Sequence, residues 1–273
     1  MKKTNLLALI LVVCSITFSA HAVELSYRAY DYGVHSSDID LQYELTGTTY
    51  KVQAQAKGVG ILSALAKDET FFYSIGYIDG EKYSPELLTY KRTDGSKEEF
   101  LGTDFKKEEN FQDYFSTVLS IATMRKMDSK VIKVRDAERQ FVARLEYMGP
   151  VAPNPKIKMK TDPCREWEHY ILTIESLEGP ATGWFFKNFD NGKSPKMNLY
   201  FAQIPDVLEL VLVNAEMDKI SLQLAAVIPD KKPASIWEGY LKIHGVPAEQ
   251  EKDDNKNSSK NFNLKAWLHK FWF

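Results

Sequence analysis

Cysteine is scarce in this 273-residue chain, which carries two, Cys14 and Cys164. If the first is lost with an N-terminal leader, Cys164 has no intramolecular partner and no disulfide staples the fold. Histidine is nearly as sparse, with five: beyond His21 near the N-terminus, His35, His169, His244 and His269 lie far apart, and neither H-E-x-x-H nor C-x-x-C occurs. No local ligand set for a metal follows from such spacing, so no metal or other cofactor is expected. No G-x-S-x-G is present, no serine has a lysine three residues later, and no phosphate-binding loop occurs. Gly58-Val59-Gly60-Ile61-Leu62-Ser63 lacks the third glycine of a dinucleotide loop and follows alternating strands, so it reads as a tight bend. An excess of basic charge is missing as well: 35 Lys and Arg stand against 37 Asp and Glu. That balance does not favour nucleic acid as a partner. Finally, no apolar run reaches the roughly 20 residues that span a bilayer as a helix.

What is present begins with an export signal. Lys2 and Lys3 precede the apolar run Leu6–Cys14, and Ala20-His21-Ala22 places small residues at −3 and −1 of a cleavage site. Residues 1–22 therefore read as a signal peptide, with a mature chain that starts at Val23 and works in a periplasm. Val13 is too large for the position before a lipidated cysteine, which argues against processing at Cys14.

The body of the chain alternates as half-buried strands do. Ile39, Leu41, Tyr43 and Leu45 fall on one face of Asp38–Thr46, and Tyr50, Val52, Ala54 and Ala56 on one face of Thr49–Lys57. Gly47 between them predicts a hairpin. Further strands are predicted around 70–78, 87–92, 98–105, 130–135, 139–147, 167–174, 183–189, 196–204, 208–213 and 219–227. Residues 149–163, with Pro150, Pro153, Pro155 and Pro163, read as a loop. In Phe111–Arg125 the period changes to that of a helix. Phe111, Tyr114, Phe115, Val118, Leu119 and Ala122 form one stripe, Gln112, Asp113, Ser116, Ser120 and Thr123 lie opposite, and Asn110 is the predicted N-cap. The fold class expected is mainly β: a curved antiparallel sheet or open barrel over residues 23–228 with one amphipathic helix.

Beyond residue 228 the character shifts. Residues 229–261 form an extension that becomes a wholly polar, disordered tether, and 262–273 an intensely aromatic tail. As a short helix the tail would align Leu264, Trp267, Leu268 and Phe271 with Trp272 beside them. Lysines border that face, which suits contact with a membrane surface or a partner protein; folding back to bury the aromatics against the chain's own domain is an equal alternative.

A set of motifs runs through the body in a particular order. Tyr30-x-Tyr32-Gly33 precedes Gly60 to Leu65, then Ser74-x-Gly76, Ser84-Pro85-Glu86 with Tyr90, and Phe111-x-x-x-Phe115-x-x-x-Leu119. Cys164-Arg165 and Ser194-Pro195-Lys196-Met197 follow. In this the chain resembles domain-of-unknown-function family 3108, a set of exported, mostly Gram-negative proteins. The resemblance implies a secreted, strongly curved antiparallel sheet with little helix. It lends no activity and no catalytic residues.

Glu166 and Glu168, two residues apart on a strand, could share a face and do acid–base work, but a solvated strand edge explains them as well. No enzyme reading rises above this. A concave apolar face beneath the predicted helix, with Phe111, Phe115 and Leu119 as ligand or lid residues, suits a lipid-like or apolar ligand. The expected function is therefore non-catalytic binding in the cell envelope. The alternatives are a scaffold that docks another envelope protein, or an enzyme acting on cell-wall polymer.

Overall fold

The computed structural model describes residues 21–59, 69–94, 97–105, 110–123, 129–136, 138–157, 159, 166–180, 194–205, 207 and 210–229. Six strands occupy the first half: β1 (His21–Asp31), β2 (Val34–Leu45), β3 (Thr49–Gly58), β4 (Glu69–Asp79), β5 (Lys82–Asp94) and β6 (Lys97–Asp104). A two-residue strand, β7 (Phe111–Gln112), leads into the helix α1 (Tyr114–Thr123). Next come β8 (Ser129–Arg135), β9 (Gln140–Val151) and β10 (Trp167–Glu178). The last three are β11 (Lys196–Gln203), β12 (Leu210–Met217) and β13 (Ile220–Pro229).

All thirteen strands belong to one open sheet in the order β6-β5-β4-β3-β2-β1-β13-β12-β11-β10-β9-β8-β7. Every pairing is antiparallel except the short one between β7 and β8. The first and last strands lie side by side at its middle, Val23 opposite Pro229 and Leu25 opposite Val227. From that centre one wing of hairpins runs outward through β2 to β6, and the other from β13 back to β8.

The alternation that builds β1 is plain in its burial. Val23, Leu25 and Tyr27 are buried, whereas Glu24 and Ser26 are partly exposed and Arg28 is exposed. Tyr32 and Gly33 join β1 to β2 with φ of 50° and 79°. A two-residue turn with both residues left-handed matches the twist of the strands it joins. Tyrosine is an unusual occupant of that region. Here its N–H donates to the Lys219 carbonyl at 2.9 Å, and the Lys219 ammonium sits 4.5 Å from its ring centre.

The sheet is rolled, and one distance settles this. β5 and β7 are eleven places apart in the strand order, which on a flat sheet at ~4.8 Å per strand would be about 50 Å. Yet Gln112 Nε2 of β7 donates to the Tyr83 carbonyl of β5 at 3.4 Å. Among the described residues the two wings thus curl toward each other with no ladder joining their edges. Helix α1 lies in the trough, packed on β5, β7 and β8 and, across the trough, on β12.

The helix differs from expectation at its start. Phe111 and Gln112 are extended and pair with Lys133 and Val134, so the helix begins at Tyr114. Asn110 has φ of 78° and does not cap it. Asp113 does, with Oδ1 accepting from the Ser116 N–H at 2.6 Å while Ser116 Oγ accepts from the Asp113 N–H at 2.9 Å. The reciprocal pair is a capping box with serine at its third position. The polar side of α1 is also buried, with Ser116 and Ser120 both fully enclosed. Ser116 and Thr117 bond back to the Asp113 carbonyl, and Ser120 takes the Gln112 amide at 3.0 Å. Further, β9 runs to Val151, so the loop predicted to start at Gly149 begins three residues later, at Ala152. The strand predicted at 183–189, the tether and the tail lie outside the described residues.

Candidate functional site

Beneath α1 the rolled sheet leaves a cavity of about 550 Å³. Its walls come from both wings: Phe72 and Tyr90 on one side, Phe141, Leu172, Leu199 and Leu212 on the other. The helix supplies Phe115, Val118 and Ile121, and the small side chain of Ala215 leaves room on the β12 side. Register explains why these residues meet. Phe72 faces Tyr90 across β4 and β5, and Leu172 and Leu199 are drawn from paired strands of the same face. Phe72 and Phe115 close the space edge to face, with centroids 5.9 Å apart.

One end of the cavity is polar. Thr70 and Arg92 form a cross-strand pair there, next to the β8–β9 turn carrying Asp136, Glu138 and Arg139. Asp136 organises this turn. Its Oδ1 accepts the N–H groups of Glu138 and Arg139, both at 2.8 Å, and its Oδ2 accepts Arg139 Nε at 2.9 Å and the Tyr114 hydroxyl. Tyr90 donates to Glu138 Oε2 at 3.0 Å, which ties the two wings together at the cavity mouth. Burial, reinforced by the neighbouring carboxylates, pushes the phenols of Tyr90 and Tyr114 well above their ordinary range. Both therefore stay protonated and donate. The lining residues offer aromatic and aliphatic surface along most of the space, with hydrogen-bonding and charged groups gathered at one end. Such a surface can hold an amphipathic molecule in a fixed direction.

The three residues expected to form the site are separated. Phe115 lines the cavity. Leu119 is buried in the core cluster with Val23, Tyr50 and Val52 and is not part of its wall. Phe111 lines a different cleft, beside Lys82 and Lys130 at the seam between β5 and β7. Trp267, Leu268, Phe271 and Trp272 lie outside the described residues, as does Cys164. Glu166 is exposed ahead of β10, and Glu168 accepts a hydrogen bond from the Tyr147 hydroxyl.

Most of the cavity wall escapes a sequence reading, because the walls come from strands distant in the chain. The mouth residues Asp136, Glu138 and Arg139 carried one weak local signal, a polar turn between two alternating runs, and Arg92, within β5, carried none. Comparison with protein-family models, with curated proteins and with solved structures gave no match. The site is accordingly read from its geometry.

Proposed function

We propose that this protein binds an apolar or amphipathic ligand, such as a single-chain lipid, inside the rolled sheet and does so without catalysis. One observation carries the reading: a space of about 550 Å³ that is aromatic and aliphatic along its length and polar at one end. Sites for small ligands commonly span about 300–1,000 Å³ and combine an apolar wall with a few orienting polar groups. The acyl part of the ligand would lie against Phe115, Leu199 and Ala215. Its head would meet the Arg92 and Arg139 side of the mouth. The export signal assigns this binding to the periplasm, and the aromatic tail gives a route to a membrane surface that supplies or receives the ligand. The resemblance to family 3108, which is exported and β-rich, agrees with that setting.

Titration with a fluorescent long-chain fatty acid tests the reading. Saturable binding is expected, and Ala215→Phe, which fills the cavity from the β12 side, should abolish it while the protein stays folded. Unchanged binding by Ala215→Phe would place the ligand elsewhere, and no binding by the wild type would reject the proposal.

A further inference from the structure

At the polar end of the cavity the two wings bring different charges. Asp136, Glu138 and Arg139 come from the β8–β9 turn, and Arg92 from β5. Asp136 is committed to its own turn. Its side chain is 2% exposed, and its oxygens already accept the Glu138 and Arg139 N–H groups, the Arg139 guanidinium and the Tyr114 hydroxyl. Arg139 lies between two carboxylates, with Nε 2.9 Å from Asp136 Oδ2 and Nη2 3.7 Å from Glu138 Oε2. One guanidinium against two carboxylates leaves this group an excess of one negative charge. Glu138, with its side chain 27% exposed, is where a ligand reaches that charge. A carboxylate has about four lone-pair sites, so Glu138 can accept from a ligand while it holds the Tyr90 hydroxyl.

The Tyr90 phenol registers the same field. Burial is the first cause of its raised pKa, Glu138 and Asp136 add to it, and Arg139 is the smallest influence and the opposing one.

Arg92 supplies the other sign. It is exposed and follows Tyr90 by two residues on the same face of β5, about 6–7 Å along the strand. Its five N–H donors can hold an anion while keeping contacts within the protein. Aromatic rings lie beside both charges. Phe72 and Tyr90 are 5.6 Å apart between centroids, and Phe115 meets Phe72 edge to face. Ring faces next to a carboxylate favour an ammonium group, which is attracted by the charge and by the rings together.

These features narrow the head of the ligand. A carboxylate head would match Arg92 and be repelled by Glu138, and an alkylamine would match Glu138 and be repelled by Arg92. A phosphate with an ammonium a few bonds away meets both. We propose, building on the lipid reading above, that the cavity selects a lysophospholipid with a zwitterionic head. Arg92 holds the phosphate, and Glu138 holds the ammonium against the Tyr90 ring.

Displacement of the bound fluorescent fatty acid tests this assignment. The competitors share one acyl chain length and stay below their micellar concentrations: lysophosphatidylethanolamine, lysophosphatidylcholine, lysophosphatidylglycerol and the unlabelled fatty acid. The two lipids that carry an ammonium should bind about fivefold or more tighter than lysophosphatidylglycerol. Glu138→Gln keeps an acceptor for the Tyr90 hydroxyl. It should erase that preference without weakening the fatty acid. High salt should narrow the preference in the wild type. Phosphocholine without an acyl chain should not displace the probe at the concentrations where the lipid does. Equal affinities for lysophosphatidylethanolamine and lysophosphatidylglycerol would overturn the head assignment, as would a preference that survives Glu138→Gln or displacement by phosphocholine alone. In each of those cases fatty-acid binding, and with it the lipid reading, would stand. Failure of every lipid to bind would overturn both. If Glu138→Gln does not fold, the wild-type series at low and high salt decides by itself.

Discussion

Asp113 links three parts of the molecule through one carboxyl group. It caps α1, accepts a hydrogen bond from Ser74 of β4, and lies close to the Tyr50 phenol of β3, all out of contact with water. Burial pushes its carboxyl up from the ordinary value, against the opposing pull of the Ser74 and Ser116 hydrogen bonds. The sign of the consequence follows from linkage. With a folded pKa above the unfolded one, the native state holds its proton longer, so this stabilising contribution is full below the unfolded pKa. It is lost as pH rises through the folded pKa. Asp113→Asn keeps an acceptor for the cap and removes the ionisation. Urea unfolding across pH should show that variant losing less stability than the wild type as pH rises above about 4. Asp113→Ala should instead cost about 1–2 kcal/mol from the lost cap, and more from the orphaned Ser74 hydroxyl. In the sequence Asp113 looked like one more polar residue on the outer side of a helix. Its role depends on Ser74, 39 residues earlier, a neighbour that no local pattern reveals.

Helix α1 and its surroundings show which elements local pattern can and cannot define. The β2–β3 hairpin was legible because apolar residues alternate on both sides of a turn, and Leu41 does pair with Ala54 and Tyr43 with Val52. Strand β1 carries the same alternation in Val23, Leu25 and Tyr27, yet it adjoins the export signal and was not assigned. The helix start was misplaced because Phe111 stands four residues before Phe115 and so fits helical spacing as well as a strand. Its partner, Lys133 in β8, decided the matter. The closing of the roll at the Gln112–Tyr83 and Tyr90–Glu138 contacts had no local signature at all. Within α1, neighbouring turns separate in role. Leu119 is 7% exposed in the core, so Leu119→Ala should cost about 2–5 kcal/mol in chemical denaturation. Phe115 is only partly buried and borders the cavity, so Phe115→Ala should lose less stability than Leu119→Ala. It should weaken fatty-acid binding more. Equal ligand affinity in the two variants would argue that α1 does not touch the ligand.

The molecule as a whole is a single sheet bent until its wings nearly meet, with β1 and β13 side by side at its middle and a helix filling the gap where a barrel would have closed. Closure by α1 rather than by a ladder matters for function. A complete ladder would have to break to admit a ligand, whereas here the wings meet through α1 and the single Tyr90–Glu138 hydrogen bond. Under the proposed function, this half-open interior offers a lipid an apolar wall in place of water. Native mass spectrometry of the protein recovered from a periplasm, with no ligand added, tests this account most directly. The account predicts a population carrying extra mass that organic solvent extracts as lipid, absent in Ala215→Phe. Wild-type protein at the bare polypeptide mass, which stays bare after incubation with lipid, would contradict it.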